Sequence, residues 1–483
     1  MPARRDFDSS AERYFTGAGF SGVVLLAEDP RFERARRVWN GMIDRTPALI
    51  ACCRDTLDVK TAIGFARETG RALSVRCGGH NVAGTAVADG AVMIDLSLMR
   101  AVVVDPGARI AQASGGCLLR DLDLATTAHG LACPSGVFSL TGLGGLALGG
   151  GYGWRCRKLG LTCDHIIGAE VVLADGSVVE VSESQHPGLL WALRGGGGNF
   201  GVVTRFTLRL HPAGPMLVRS AVHPADRAVE AMRACRASAP GLSEDLHLLA
   251  GLRRAGPADP VPPGQRDRPV LGVMVICSAA NAASASEGRA LFEAMPACAV
   301  AARTLSYLDL QSMGDRGSPA GRRYYTKSGY LADLCDEAIE RLIASAGRNP
   351  SPTGSVDVEC LRGAVLRSGT GESAFPQREA PFMVTVSGSW DDPGLDQDGI
   401  AWAREVIDSV RAWEHPGAYS NYISQQESRL EASAMYGSAI YSKLAQVKRA
   451  YDPDNMFRSA RNIIPAATPG CGSGSAQGEG VLR

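Results

Sequence analysis

The sequence predicts an α+β chain of more than one domain, and three observations carry that reading. Short β-prone runs alternate with helical periodicity from about Ala48 onward. Three glycine-rich loops fall inside the stretch that closes at His211-Pro212. A second composition begins near Gly214, where amphipathic helices are interleaved with strand-like runs. At 483 residues the chain is too long for one ordinary core, so it divides.

In the first part, apolar β-prone runs give strands at Ala48–Ala51, Ala72–Val75, Val92–Leu96, Val102–Val104, Ala169–Leu173 and Phe206–Leu210. Apolar residues at helical spacing give helices at Leu57–Glu68 and Leu118–His129. In the second part the same reasoning gives helices at Arg227–Ala237, Glu287–Ala294, Asp333–Ala346 and Trp402–Trp413. Four strand-like runs accompany them, Leu246–Leu249, Val270–Ile276, Ser355–Leu361 and Met383–Val386, and form a sheet backed by helices. Pro257–Pro269 reads as an exposed excursion, and the glycine- and serine-rich end reads as a disordered tail.

The most telling residue is His80, which closes Arg76-Cys77-Gly78-Gly79-His80-Asn81 directly after a strand. Consecutive glycines let the backbone curl so that several N–H groups face one concavity, suited to a pyrophosphate, with an imidazole nucleophile beside it. The other two loops are Thr141 to Gly153 and Leu193 to Thr204, and three loops in one region point to one large ligand. Two segments mimic dinucleotide fingerprints, Gly142 to Ala147 and Gly196 to Gly201. The first runs into Gly149-Gly150-Gly151 and the second into a β-branched strand, so neither opens a long helix and the Rossmann reading fails.

Composition narrows the partners. Lys plus Arg equals Asp plus Glu at 50 each, which leaves no global field for nucleic acid or an anionic membrane. The first residues lack a signal peptide's apolar core, no stretch is apolar enough to span a bilayer, and the expected location is cytoplasmic. Thirteen cysteines without a C-x-x-C pair support neither a disulfide framework nor a metal site. A small-molecule substrate remains.

These loops, with Arg157 to Asp164 and the closing Val447 to Arg458, resemble the covalent flavoproteins of the berberine-bridge-enzyme-like group, in order and over nearly the whole chain. The resemblance implies a two-part FAD-binding domain of the p-cresol-methylhydroxylase type and a substrate domain with an antiparallel sheet backed by helices. It implies an N-terminal segment at 1–45, the FAD-binding domain at 46–214, the substrate domain at 215–417, a returning C-terminal segment at 418–467 and a disordered tail at 468–483. FAD would be held through its 8α-methyl group by His80, a neutral imidazole attacking an electrophilic carbon. The implied cofactor-binding residues are Arg76, Cys77, Gly78, Gly79, His80, Asn81, Thr141, Gly142, Gly144, Gly145, Gly151, Tyr152, Gly198, Gly201, Val202 and Asn421. Bicovalent members add a cysteine on the second loop. Alignment puts Phe138 there, with Cys133 five residues too early, which implies a single linkage and no cysteinyl bond.

For the base, the family's Y-x-N-Y segment matches Tyr419-Ser420-Asn421-Tyr422, which places Tyr422 first and Tyr419 second. Strand alternation independently sets Asp357 and Glu359 on one face, roughly 7 Å apart. They are either a base with a raised pKa or solvated edge charges. Tyr152 and Trp154 either stack in the pocket or fill the core, Tyr325 and Lys327 either reach substrate carbonyls or lie elsewhere, and Arg253-Arg254 and Arg322-Arg323 read as solvated surface. Trp39 to Ala48 and Tyr325 to Leu331 look most like bacterial oxidases that tailor polyketides and other aromatic metabolites, although Leu140 stands where such relatives often carry histidine. The expected activity is an FAD oxidase that takes a hydride from an alcohol, phenolic or β-dicarbonyl secondary metabolite and reduces O2 to hydrogen peroxide. A carbohydrate oxidase, a flavin dehydrogenase or monooxygenase, and a non-catalytic flavin-binding protein are the competing expectations.

Overall fold

The computed structural model describes residues 2–257, 259, 261, 263–278, 282–295, 300–367, 372–424, 432–458 and 461–467. Its first sheet has four strands in the order Val23–Leu25, Leu49–Cys52, Val92–Asp95, Leu73–Arg76. The last three run parallel, which requires a crossover, and the helix Thr56–Glu68 supplies it. Asp55 caps that helix by accepting from Asp58 N at 2.9 Å, and Val59, Ala62, Ile63 and Ala66 form its buried stripe. An N-terminal helix, Pro2–Gly17, packs on it through Phe15, whose ring lies 5.1 Å from that of Phe65.

The second sheet is antiparallel, in the order Val102–Asp105, Ile110–Ser114, Val202–Arg209, Ile166–Val172, Val178–Ser182. The loops carrying the glycines leave and enter this sheet and the first one. Gly142 to Gly153 contains a helix, but Leu143–Leu148 is only six residues long and stops at Gly149, as its glycines led one to expect. No strand precedes it beyond the isolated bridge of Leu118 to Gly142, so the dinucleotide geometry is still absent there.

The third sheet holds eight antiparallel strands, where four were expected from the pattern. Their order is Val300–Leu305, Met216–Pro224, Pro269–Cys277, Leu246–Arg254, Gly354–Cys360, Phe382–Trp390, Arg323–Leu331, Glu414–His415. Two of the strands that escaped notice have a physical reason for their weak pattern. Val300–Leu305 is an exposed edge, and Arg323–Leu331 carries Thr326 and Ser328 on its polar face. Helices Ala228–Ser238, Ala282–Glu293, Asp336–Ala346 and Asp396–Ser409 cover the other face, where Val356, Val358, Val384, Val386, Ile339, Leu342, Val406 and Ile407 form one core. The last helix begins six residues earlier than expected and ends at Ser409, short of Trp413. Only parts of 257–269 are described, including Asp259, which pairs with Arg253, and 468–483 lies outside the described residues.

The C-terminal segment returns to the glycine loops through a buried ion pair. Lys448 and Asp452 are both fully buried one helical turn apart, and Lys448 Nζ donates to Asp452 at 2.5 Å, to Asn199 O at 2.6 Å and to Phe457 O at 2.7 Å. Asn199 in turn donates to Gly196 O and accepts from Ile463 N. Every donor of the ammonium is used, which is the condition for burying it. Lys448→Met strands the Asp452 carboxylate and is expected to cost about 3–5 kcal/mol in denaturant unfolding. The double variant Lys448→Met/Asp452→Leu should recover part of that loss, and additive losses would contradict this account of the pair.

Candidate active site

A cavity of about 780 Å³ lies between the glycine loops and the polar face of the eight-stranded sheet. It touches all three loops: Cys77 to Asn81, Thr141 to Gly149 in part, and Gly197 to Val203 in part. The cradle is narrow because the backbone itself forms it. A Cβ on Gly78 would lie 2.5 Å from Gly142 N, and one on Gly142 would fall on Gly78 N. Only glycine fits either position.

Of the cofactor-binding residues expected, His80, Cys77, Gly78, Gly79, Asn81, Thr141, Gly142, Gly144, Gly145, Tyr152, Gly198, Gly201, Val202 and Asn421 border this cavity. Arg76 and Gly151 do not. Arg76 turns away to pair with the buried Asp95 and to donate to Ala35 O, while Gly151 N–H donates to the Tyr419 hydroxyl at 3.0 Å. Both shape the loops from behind. Burial lowers the His80 pKa to about 4, so the imidazole is neutral at physiological pH. Its ring stacks on Trp39 at 4.2 Å and 16°, and the Phe138 ring lies 5.9 Å away at 22°. Cys133 is fully buried with its thiol toward Pro134 O.

The opposite wall is a grid of side chains set by strand register. Ser355, Ser387 and Thr326 stand side by side on three neighbouring strands. In the next row Gly251, Asp357, Thr385 and Ser328 are paired, and in the third Leu249, Glu359, Met383 and Tyr330. Gly251 is required beside Asp357, because a Cβ there would meet the carboxylate at 2.7 Å. Asp357 and Glu359 both line the cavity, whereas Val356 and Val358 point into the core behind, so these acids are pocket groups and not edge charges.

Burial pushes Asp357 up to about 6, although the Ser355 hydroxyl at 2.7 Å and the charge of Arg253 pull it back. Burial, and then the charge of Asp357, push Glu359 up to about 8. The pair therefore shares its protons unequally near neutrality. Tyr422 borders the same space, and burial followed by the charges of Glu359 and its neighbours holds its hydroxyl well above the usual phenol range. Tyr419 is engaged differently. Its oxygen accepts from Gly151 N, from Tyr152 N at 3.3 Å and from Asn421 Nδ2 at 3.0 Å, which ties the second glycine loop to the C-terminal segment.

Several expectations shift by one residue or one face. Tyr324 and Thr326 line the cavity, while Tyr325 lies in the helix-side core with its hydroxyl accepting from Arg404, and Lys327 shares that opposite face. A single step along a strand exchanges faces. Arg253, read as surface, borders the cavity and is held bidentately by Asp259 at 2.5 and 2.7 Å. Arg322 and Arg323 pair with Asp391 and Asp396. Tyr152 and Trp154 both border the cavity, and Tyr152 also reaches the Tyr330 hydroxyl at 3.3 Å. Sequence reasoning missed Arg461 at the cavity wall, where burial lowers its pKa to about 10 and its Nε has no partner.

These residues fit FAD. The cradle leaves no room for side chains where two backbones meet, a buried guanidinium has an unused donor suited to a phosphate, and the Trp154 Nε1 and Thr385 Oγ1 groups are also unpaired at the wall. Among the described residues no cluster of three or more His, Cys, Asp or Glu is arranged to hold a metal, and no helix is long and apolar enough to cross a membrane.

Comparison with known proteins agrees with this geometry. Residues 47–182 match the FAD binding domain family, and 418–464 match the family described as berberine and berberine like. The chain is 28% identical to the (R)-6-hydroxynicotine oxidase of Paenarthrobacter nicotinovorans over 93% of its own length and 98% of that protein's. The crystal structure of 6-hydroxy-D-nicotine oxidase from Arthrobacter nicotinovorans superposes with a TM-score of 0.83 at 25% identity, covering 93% of this chain and 99% of that one. Glucooligosaccharide oxidase from Acremonium strictum, which carries a 6-S-cysteinyl, 8α-N1-histidyl FAD, shares the fold with a TM-score of 0.84 at 22% identity, covering 95% and 99%. The chain is an FAD-linked oxidoreductase. It carries an FAD binding domain and a segment that matches the berberine and berberine like family, and it shares the fold of berberine-bridge-enzyme-like oxidases, the p-cresol-methylhydroxylase type of FAD fold.

The raised carboxyls carry a pH signature. The unfolded chain ionises Glu359 before the folded one does, so its contribution to stability is whole at low pH and drains away as pH rises through about 8. Glu359→Gln cannot ionise, and its thermal midpoint should fall less steeply than wild type between about pH 5 and 9. Identical slopes would show that Glu359 ionises normally.

Proposed function

We propose that this chain is an oxidase that carries FAD on a single bond to His80 and removes a hydride from an alcohol, phenolic or β-dicarbonyl secondary metabolite, with O2 as acceptor and hydrogen peroxide as product. The observation that carries the reading is the shared cavity: a neutral, buried imidazole and a glycine cradle face a sheet wall bearing two carboxyls and a tyrosine. Bound there, FAD supplies the hydride acceptor and the route by which two electrons reach O2. In this reading 46–214, with 1–45 and 418–467, holds the cofactor, 215–417 holds the substrate, and the protein works in the cytoplasm.

Each residue has a part that follows from its surroundings. His80 attacks as the neutral base that burial makes it. The resemblance puts Phe138 where a second, sulfur linkage would need a cysteine, and the Cys133 thiol is packed toward Pro134 O, which supports one bond and not two. Tyr422, which burial keeps as a neutral phenol, would relay the substrate's proton, accepting it as it passes its own to Asp357, the more readily ionised of the two acids. Glu359, still protonated near neutrality, can donate to a substrate carbonyl or hydroxyl. Tyr419, with its oxygen already accepting three hydrogen bonds, holds the loop and does not serve as base.

A carbohydrate substrate is the second reading, and the hydroxyl row of Ser355, Ser387 and Thr326 favours it. The apolar side of the cavity, with Trp154, Val137, Phe138 and Met313, favours a flatter, less hydrated molecule. Screening catechols, polyketide-like β-dicarbonyls, secondary alcohols and oligosaccharides for bleaching of the flavin and peroxide release separates them. A β-dicarbonyl or phenol should score, and Tyr422→Phe should keep its colour while losing about 10²-fold or more in kcat. Peroxide from oligosaccharides alone would overturn the first reading, and no bleaching by any of these classes would overturn both.

A further inference from the structure

Resting on the proposed attachment at His80, we infer that Trp39 is a positioning residue for it: the indole fixes the plane of the His80 ring so that an imidazole nitrogen meets the flavin edge-on. The lone pair of an imidazole nitrogen lies in the ring plane, so bond formation depends on that plane's orientation as well as on reach. The torsion that sets the plane of a histidine ring has broad preferences and does not define it unaided. Neighbours must.

Trp39 stacks on His80 at 4.2 Å and 16°, and the Phe138 ring lies 5.9 Å from it at 22°. These near-parallel neighbours hold the ring as a plate. The indole is itself immobilised. Trp39 N donates to Gly79 O at 3.0 Å, inside the same turn, and Trp39 Nε1 donates to Ser318 O at 3.0 Å. Tyr324 stacks on the indole at 3.7 Å and 16°. The next residue, Asn40, is 2% exposed and joins the two parts of the molecule, donating to Val82 O at 2.7 Å and to Tyr324 O at 2.9 Å while accepting from Tyr324 N at 3.0 Å. Gly41 N–H donates to Arg322 O at 2.8 Å, and a Cβ on Gly41 would fall on Gly321 O.

The indole also borders a second space that the ring itself lines. A second cavity of about 470 Å³ lies against Trp39, His80 and Phe138, with Arg37 and Asp315 on its walls. Without the flat indole face, His80 has room to turn toward that space. Attachment joins an imidazole nitrogen to the 8α-carbon and breaks one C–H bond of that methyl group and the imidazole N–H. The two electrons and two protons released pass to O2, which leaves as hydrogen peroxide.

The test compares wild type, His80→Ala, Trp39→Leu and Trp39→Phe, purified as expressed and incubated with FAD in air. Total bound flavin is read before acid precipitation, and pellet flavin after it. Leucine keeps apolar volume but removes the flat face, while phenylalanine restores a flat face. Wild type and Trp39→Phe should hold most of their flavin in the pellet. Trp39→Leu should bind a similar total yet form the acid-stable fraction at least ten-fold more slowly. Attachment in Trp39→Leu at the wild-type rate would overturn the positioning role and leave the His80 linkage intact. Wild-type flavin released by acid as fully as from His80→Ala would overturn the linkage and the positioning role with it. Should Trp39→Leu bind no FAD, the Phe variant decides alone: slow attachment despite full binding overturns the role assigned to a flat ring.

Discussion

The backbones of two loops meet at Gly78 and Gly142 so closely that neither residue has room for a Cβ. That approach brings the His80 turn onto the start of the Leu143–Leu148 helix and defines one wall of the cavity. Everything else in the cofactor region braces it. Asp95 holds Arg76 behind the turn, Asn421 donates to Leu146 O in the helix while Tyr419 straps the loop that follows it, and Lys448 with Asp452 locks the third glycine loop to the C-terminal segment. Residues more than 300 positions apart therefore converge on a contact that tolerates only hydrogen at Cα.

The other wall stores polarity that the protein leaves unsatisfied. A sheet covered by helices on one side can face a second apolar layer on the other, yet here the uncovered rows carry hydroxyls and two acids. Burying Asp357 and Glu359 together without a full complement of cations costs ionisation, and the raised pKa values express that cost. The unpaired Thr385 Oγ1, Trp154 Nε1 and Arg461 Nε groups on the same cavity are further unused capacity. A fold that retains such groups in a cavity is organised around molecules that complete them.

Much of this was legible in the sequence because it is local. The His80 turn, the glycine loops and the alternation that puts Asp357 and Glu359 on one face depend on residues within a few positions of each other. The roles of Trp39, Tyr324 and Arg253 were not legible. Trp39 acquires its meaning from a stack with a residue 285 positions away in sequence, as the bonds between Asn40 and Tyr324, separated by 284, make plain. The sequence left the side of Tyr325 and Lys327 open and did not single out Tyr324 and Thr326, because Arg323–Leu331 has no apolar alternation to mark its faces. Arg253 looked like surface because its partner Asp259 sits in a proline-rich excursion with no periodic pattern.

The central claim is that this buried, neutral histidine carries the flavin. Tryptic cleavage after Arg76 and Arg100 releases the peptide Cys77–Arg100, which contains His80. Mass mapping of the purified protein should find the flavin on that peptide, with fragment ions that assign it to His80 and no second bond elsewhere. An unmodified Cys77–Arg100 peptide, or flavin mass on a cysteine-bearing peptide from another part of the chain, would contradict the account.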